Sequence, residues 1–388
     1  MNNKPLMGIN ISRRQCLGGA AALGASALLA KSAQATSNST QKKLSKPMII
    51  NTLGGIENPN LADIPHTPAS IKLDQRAFDD ARKSGLTAIN LTLGYVAGPY
   101  EPFEHSVSEI ATWDRIIRQY PQDLLKVFNA NDLLLAQQQN KVGIMYGFQN
   151  CAMLGDKVER VKLFSDLGVR IMQLTYNRQN QLGSGCMEPQ DSGLTAFGRD
   201  IVKQMNQHKV IIDLSHSGEK TCLDAINISE QPIAISHTGC RALVDLPRNK
   251  SDQELRLIAE KGGFVGIYFM PFLSTKPNAT ADDVVRHIVH AVKVCGSEHV
   301  GIGTDGGVTS YDDLDKYKQA LKKENAERVA AGIAAKGEGP NTLPFIEDLR
   351  GPEQFAKLVD LLSKVKLTTR QIDGILGKNF YAFTQRLW

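Results

Sequence analysis

Residues Val210 to Arg241 read VIIDLSHSGEKTCLDAINISEQPIAISHTGCR. Two apolar runs, Val210-Ile211-Ile212-Asp213-Leu214-Ser215-His216 and Pro232-Ile233-Ala234-Ile235-Ser236-His237, each end in Ser-His. Between them Cys222, Ala225 and Ile226 recur at helical spacing after Ser217-Gly218-Glu219-Lys220-Thr221. Strand, helix, strand is the unit of a parallel sheet, whose strands read as continuous apolar runs because both faces are buried. Two histidines at the same end of neighbouring parallel strands stand side by side at the carboxyl edge, where α/β proteins place their chemistry. Two imidazoles there can share one metal ion. The plainer alternative is that each histidine only caps its strand.

The same alternation extends in both directions. Residues 48–51, 88–93, 142–148, 170–174, 210–214, 233–236, 264–268 and 300–303 read as strands. Helical patterns cover 74–83, part of 124–140, 157–166, 194–207, 220–228, 252–261 and 282–294. Eight such units match a (β/α)8 barrel. A doubly wound open sheet has the same alternation, but Asn51-Thr52-Leu53-Gly54-Gly55 after the first strand lacks the GxGxxG dinucleotide spacing. After the eighth strand, residues 312–339 are charged and rich in Ala, Lys and Glu, a helix on the surface or over the barrel mouth. Residues 368–379 predict a capped helix ending at Gly377, with Asn379 opening another.

The chain has 388 residues, 42% hydrophobic and 22% charged, ordinary for a globular protein. We divide it into a signal (1–35), a linker (36–46) and one barrel domain with C-terminal helices (47–388). Ser12-Arg13-Arg14-Gln15-Cys16-Leu17 is a twin-arginine pattern, followed by a small apolar run and Ala33-Gln34-Ala35 as a cleavage site. An uncleaved N-terminal anchor is the other reading. The expectation is export from a bacterial cytoplasm to the periplasm by the twin-arginine (Tat) machinery. Loss of this segment takes away Lys4, Arg13, Arg14 and Lys31 and no acids, so the formal charge of +5 falls to +1. Nothing then argues for a nucleic-acid partner. Beyond Cys16, the five cysteines Cys151, Cys186, Cys222, Cys240 and Cys295 show no CxxC spacing and read as buried thiols.

In a barrel the residues just past each strand line one mouth. Strands five and six bring His216 and His237, with Arg241 a turn later; strand eight brings Asp305 within Gly301-Ile302-Gly303-Thr304-Asp305-Gly306-Gly307. Strand four brings Tyr176, strand three Gln149, and strand one Asn51. Two His and one Asp suffice for a catalytic zinc with an open position, which brings the pKa of water to about 7. Arg241 can pair bidentately with a substrate carboxylate, or form an ordinary loop ion pair. Asp305 also fits a plain Asp-Gly turn. His287 and His290 read as surface residues, His208 and His299 lie at the wrong end of the barrel, and His66 and His105 stay undecided.

From strand three to the C-terminus the chain resembles the membrane dipeptidase (renal dipeptidase-like) family of metallopeptidases. The resemblance is carried by Leu174-Thr175-Tyr176-Asn177 with Asn180, by the stretch from Gly183 to Cys186, and by Gly193-Leu194-Thr195 with Phe197-Gly198-Arg199. It continues through Ile212-Asp213-Leu214-Ser215-His216, Ser236-His237-Thr238-Gly239-Cys240-Arg241-Ala242-Leu243, Pro247-Arg248-Asn249, Asp252, Gly301-Ile302-Gly303-Thr304-Asp305 and Leu376-Gly377-Lys378-Asn379. The resemblance implies a (β/α)8 barrel hydrolysing dipeptides with two zinc ions. It makes His216 and His237 the histidines of one zinc, Arg241 the holder of the substrate's terminal carboxylate, and Asp305 a metal ligand near the reacting water and the substrate amine. Tyr176 stands where better-known members carry a histidine that steadies the tetrahedral intermediate, a role that a phenol donor can keep. Such proteins often form homodimers, though no patch in this sequence shows one.

Two departures matter. The His-x-Asp pair of the first strand is replaced by Leu53-Gly54-Gly55, and the bridging glutamate by Gln149, whose neutral amide is at best a weak ligand. The dinuclear site cannot form as the family builds it. The expectation is a single zinc on His216, His237 and Asp305, with Gln149 a weak candidate, or no metal at all. Three readings follow: a one-metal hydrolase of a dipeptide or similar small amide, a periplasmic binding or maturation factor for a small peptide-like molecule, and a metal-independent enzyme using Tyr176 and Asp305 as acid and base.

Overall fold

The two Ser-His runs do lie on adjacent parallel strands, paired in register at Asp213 and Ala234. The computed structural model describes residues 46–61, 71, 73–276, 278–330 and 332–388. The signal and the linker up to residue 45 lie outside the described residues, and so does His66. Residues Lys46–Trp388 form one compact unit.

Eight parallel strands follow in chain order: β1 (Ile49–Asn51), β2 (Leu86–Thr92), β3 (Val142–Phe148), β4 (Val169–Gln173), β5 (Ile211–Asp213), β6 (Ala234–Thr238), β7 (Phe264–Ile267) and β8 (Val300–Ile302). Each pairs with the next. The seam between β1 and β8 is closed by Thr52, whose N–H donates to Ile302 O at 3.0 Å. Just above it, Gly54–Gly55 runs parallel to Gly306–Gly307. The structure is the (β/α)8 barrel, and the doubly wound alternative is excluded.

Helices cover the outside: α1 (Gln75–Lys83), α2 (Pro102–Gln119), α3 (Ala130–Gln139), α4 (Arg160–Asp166), α5 (Ala196–Gln207), α6 (Glu219–Ile228), α7 (Asp252–Glu260) and α8 (Ala281–Cys295). Their starts are written in the sequence. Ser251 with Glu254, and Thr280 with Asp283, form capping boxes before α7 and α8. Helix α2 escaped the sequence reading, although Glu101 caps it, Pro102 opens it, and Ile110, Trp113 and Ile116 form its buried stripe. Within 124–140, read as helical in part, Leu124–Lys126 form a short strand on β3, and the helix begins at Ala130.

Two features position the site. At the amino end, Ile50, Ala88, Met145, Ile171, Ile211, Ala234 and Phe264, one from each of seven strands, cluster with Phe380 and Phe383 of α12 (Asn379–Thr384). The two remaining C-terminal helices, α10 (Gln354–Lys364) and α11 (Thr369–Asp373), lead into that plug, and α9 (Leu314–Ala330) lies in the charged segment after β8. Midway up the barrel the interior is tight. Thr52 Oγ1 donates to Ser236 O at 2.6 Å, and a Cβ on either Gly266 or Gly303 would fall 2.0 Å from that same oxygen. Two cavities are lined in part by residues just past the carboxyl ends of the strands, among them Tyr176, His216 and Asp305.

Candidate active site

Asp213, the last residue of β5, ties the ends of β5 and β6 together. Its buried carboxylate accepts from Ser215 N–H and O–H (3.1 and 2.6 Å) and from Ser236 N–H and O–H (2.9 and 2.5 Å). Ser215 Oγ in turn accepts from His237 N–H at 3.1 Å. Burial raises the Asp213 pKa while these donors oppose the shift. The two Ser-His turns are thereby held at one height.

The imidazole tautomers follow from their partners. Asn177 Nδ2 donates to Ile333 O at 2.9 Å, which turns Asn177 Oδ1 towards His216 Nδ1, 2.7 Å away. Ser236 commits its proton to Asp213, so its oxygen accepts from His237 Nδ1 at 2.8 Å. Both Nδ1 atoms are therefore donors, and both Nε2 atoms carry lone pairs. Those two Nε2 atoms face each other at 3.0 Å. Two lone pairs that close repel unless a cation stands with them. Burial, with the Arg248 guanidinium next in effect, holds both imidazoles well below the usual range, so they are neutral at pH 7 and in the state that ligates metal. Outer partners on both Nδ1 atoms are also what metal-binding histidines carry. The pair fits a metal ion.

The rest of the expected ligand set does not gather around it. Among the described residues no three His, Cys, Asp or Glu side chains stand close enough to hold one ion. Asp305 lines the same cavity as His216 but does not complete such a cluster. Gln149 turns its amide nitrogen to Thr92 Oγ1 at 2.6 Å and is not in the cavity wall. Leu53 is buried, and its carbonyl accepts from Asp305 N–H at 2.9 Å. That bond holds Asp305 in the left-handed region, at φ +56°, a conformation Asp tolerates better than most residues.

The cavity, ≈ 280 Å³, is lined by Tyr176, His216, Arg248, Asp305 and, from α9, Glu324 and Arg328. The Tyr176 ring stacks on His216 with centroids 4.3 Å apart, and its hydroxyl is hydrogen-bonded to Arg328. Arg328 itself forms a bidentate pair with Glu338, both contacts at 2.8 Å. Burial pushes the Asp305 carboxyl up to about 6, against the pull of Arg248 and Arg328.

Arg241 lines neither of the two cavities described here; its guanidinium pairs with Glu219 at 2.7 Å and donates to Asn249 O at 3.2 Å. Of the two arginines in the loop after β6, the one that lines the cavity is Arg248, which is 1% exposed. One of its nitrogens donates to Ser215 O at 2.6 Å, whereas Nη2 has no hydrogen-bond partner. The loop after β6 explains the exchange. It folds back so that Arg241 N–H donates to Lys250 O and Lys250 N–H to Gly239 O, sending Arg248 inward and Arg241 outward. Distance along the chain could not separate them, and the burial of Asn249 and Lys250 beside Arg248 shows only in the structure. Sequence reasoning also missed the part played by Asp213, Asn177 and Arg328. His287, expected on the surface, is fully buried: its Nδ1 accepts from Cys240 N–H at 2.8 Å and its Nε2 donates to Leu273 O at 3.1 Å. The five cysteines are unpaired thiols.

Among known proteins, a curated dipeptidase of Claviceps purpurea is 30% identical over 268 residues, covering 62% of this chain and 63% of that protein. An uncharacterized dipeptidase of Schizosaccharomyces pombe is 31% identical over 230 residues, 58% of this chain and 55% of that protein. The match therefore spans less than two thirds of either relative. The solved structure of an amidohydrolase from Pseudomonas aeruginosa is 32% identical, with a TM-score of 0.74, covering 89% of this chain and 97% of that one. A metallo peptidase from Rhodobacter sphaeroides liganded with a phosphinate mimic of the dipeptide L-Ala-D-Ala shares the fold at 18% identity and a TM-score of 0.69. With residues 82–332 matching the description Membrane dipeptidase (Peptidase family M19), the chain belongs to the membrane dipeptidase family.

Proposed function

We propose that this chain hydrolyses a dipeptide or a similarly small amide, with a single zinc ion held by His216 and His237. The observation that carries the reading is the pair of Nε2 atoms converging at 3.0 Å while both Nδ1 atoms are committed elsewhere. A bound zinc supplies Lewis acidity, polarising an amide carbonyl and acidifying water. The chain's own groups do the rest. Arg248 offers its unpartnered Nη2 to the terminal carboxylate, a charge-assisted contact in a buried setting. Asp305, with its carboxyl near 6, takes the proton of the attacking water and returns it to the leaving amine. Tyr176 keeps its proton, because burial raises its pKa, and its hydroxyl donates a hydrogen bond to the developing oxyanion.

The twin-arginine pattern at residues 12–17 supports export to the periplasm. Substituted ligand positions at Leu53, Gly55 and Gln149, with no His, Cys, Asp or Glu among the described residues completing a cluster with the histidine pair, favour a second reading: a binding or maturation role for a small peptide-like molecule. Metal content decides between them. About one zinc per chain, lost in His216→Ala together with dipeptide hydrolysis at neutral pH, is the expected result. A folded wild-type protein that carries no metal and cleaves no dipeptide would leave the second reading.

A further inference from the structure

We infer that the cleft has a second chamber, built to take an aromatic or bulky apolar side chain on the amino-side residue of the substrate. A cavity of ≈ 280 Å³ adjoins the first and shares Met270, Asp305, Glu324 and Pro344 with it. One side of its wall is aromatic, beside polar residues that include Asp305, Glu324 and Gln354. Tyr311 and Tyr317 lie with centroids 3.9 Å apart, Phe345 stacks on Tyr311 at 5.5 Å and 21°, and the Arg350 guanidinium sits 5.7 Å from the Phe345 ring. Ile346 and Leu349 of the same wall are buried. Thr309 Oγ1, also in the wall, is buried and has no hydrogen-bond partner, so the chamber offers one unused polar contact beside its apolar faces.

The orientation follows from which groups the chambers share. Arg248 belongs to the first only, and Asp305 to both. A ligand with its carboxylate on Arg248 and its scissile amide beside Asp305 passes its amino-side residue into the second chamber. Ring faces at these spacings favour offset stacking with a further ring. Glu324 on the common wall disfavours an acidic side chain there. The orientation rests on the peptidase reading, whereas the chamber's preference for an apolar group does not.

The test is calorimetric binding of phenylalanyl-alanine, alanyl-phenylalanine and alanyl-alanine to the purified full chain, with hydrolysis followed in parallel. Phenylalanyl-alanine should bind at least about tenfold tighter than alanyl-alanine, and this ratio should collapse towards one in Phe345→Ala and in Tyr317→Ala. Tyr317, half-buried on α9, gives a second variant should Phe345→Ala fail to fold. Equal binding of the two by wild type, an unchanged ratio in a folded variant, or a preference for alanyl-phenylalanine would each overturn the proposal. Selectivity without hydrolysis would keep the chamber and remove the peptidase reading; hydrolysis without selectivity would do the reverse.

Discussion

Arg241 and Arg248 differ in what surrounds them more than in where they sit along the chain. Arg241 is satisfied by Glu219 and a backbone carbonyl at a half-exposed position, the setting in which an ion pair contributes about 1 kcal/mol or less. Arg248 is buried with one nitrogen unpaired, at the wall of the cavity that holds His216 and Asp305. A carboxylate reaching that nitrogen gains a charge-assisted bond of about 1.5–3 kcal/mol. Arg248→Lys should therefore weaken binding of carboxylate-ended dipeptides by about tenfold to a hundredfold, whereas Arg241→Ala should change it by less than about threefold. Titrating both variants with one dipeptide and with its C-terminal amide checks this. A loss confined to Arg241→Ala would return the clamp to the outer arginine. The histidines were legible from sequence because the Ser-His repeat and the strand ends place them without help from the rest of the fold. The arginine was not, because a loop that doubles back through Lys250 and Gly239 is decided by backbone bonds that no local pattern announces.

Elements carry the same contrast. All eight barrel strands sit within two residues of their expected bounds because buried parallel strands are continuous apolar runs set off by polar turns. Helix α9 was foreseen as a charged helix on the surface or over the mouth, yet its role depends on contacts that charge alone does not reveal. Of the residues Leu314–Ala330 only Leu321 is buried, while Arg328 anchors the helix through Glu338 and reaches Tyr176. A helix with so little apolar burial is held by few contacts and opens at low free energy. Amides of 314–330 should exchange faster than those of β5 and β6, and Glu338→Gln should speed them further with little change in the global melting temperature. Hydrogen exchange read by mass spectrometry gives both results. Protection of α9 equal to that of the barrel strands would mean that the helix is a fixed wall.

Stability of the whole molecule should carry the mark of an imidazole that the sequence placed on the surface. His287 is sealed between the loop after β6 and the segment after β7, donating to Leu273 O and accepting from Cys240 N–H, a pattern that only the neutral ring can satisfy. Burial pushes its pKa down to about 4 from an ordinary 6.5. Below pH 6.5 the unfolded chain binds a proton at this position that the folded chain refuses until about pH 4. The stability His287 contributes is thus complete above 6.5 and drains away as the pH falls through that window, by about 3 kcal/mol at the lower end. His216 and His237 are depressed in the same direction, so a single unfolding curve cannot isolate the effect. A comparison can. His287→Gln should be less stable than wild type at pH 7.5, and the gap between the two should narrow as the pH is lowered to 4.5, because the variant has no ring to protonate. Urea unfolding midpoints of both proteins across that range supply the measurement. A gap that stays constant would show that His287 contributes shape but no proton linkage, and that the acid sensitivity of the barrel resides in the paired histidines at its mouth.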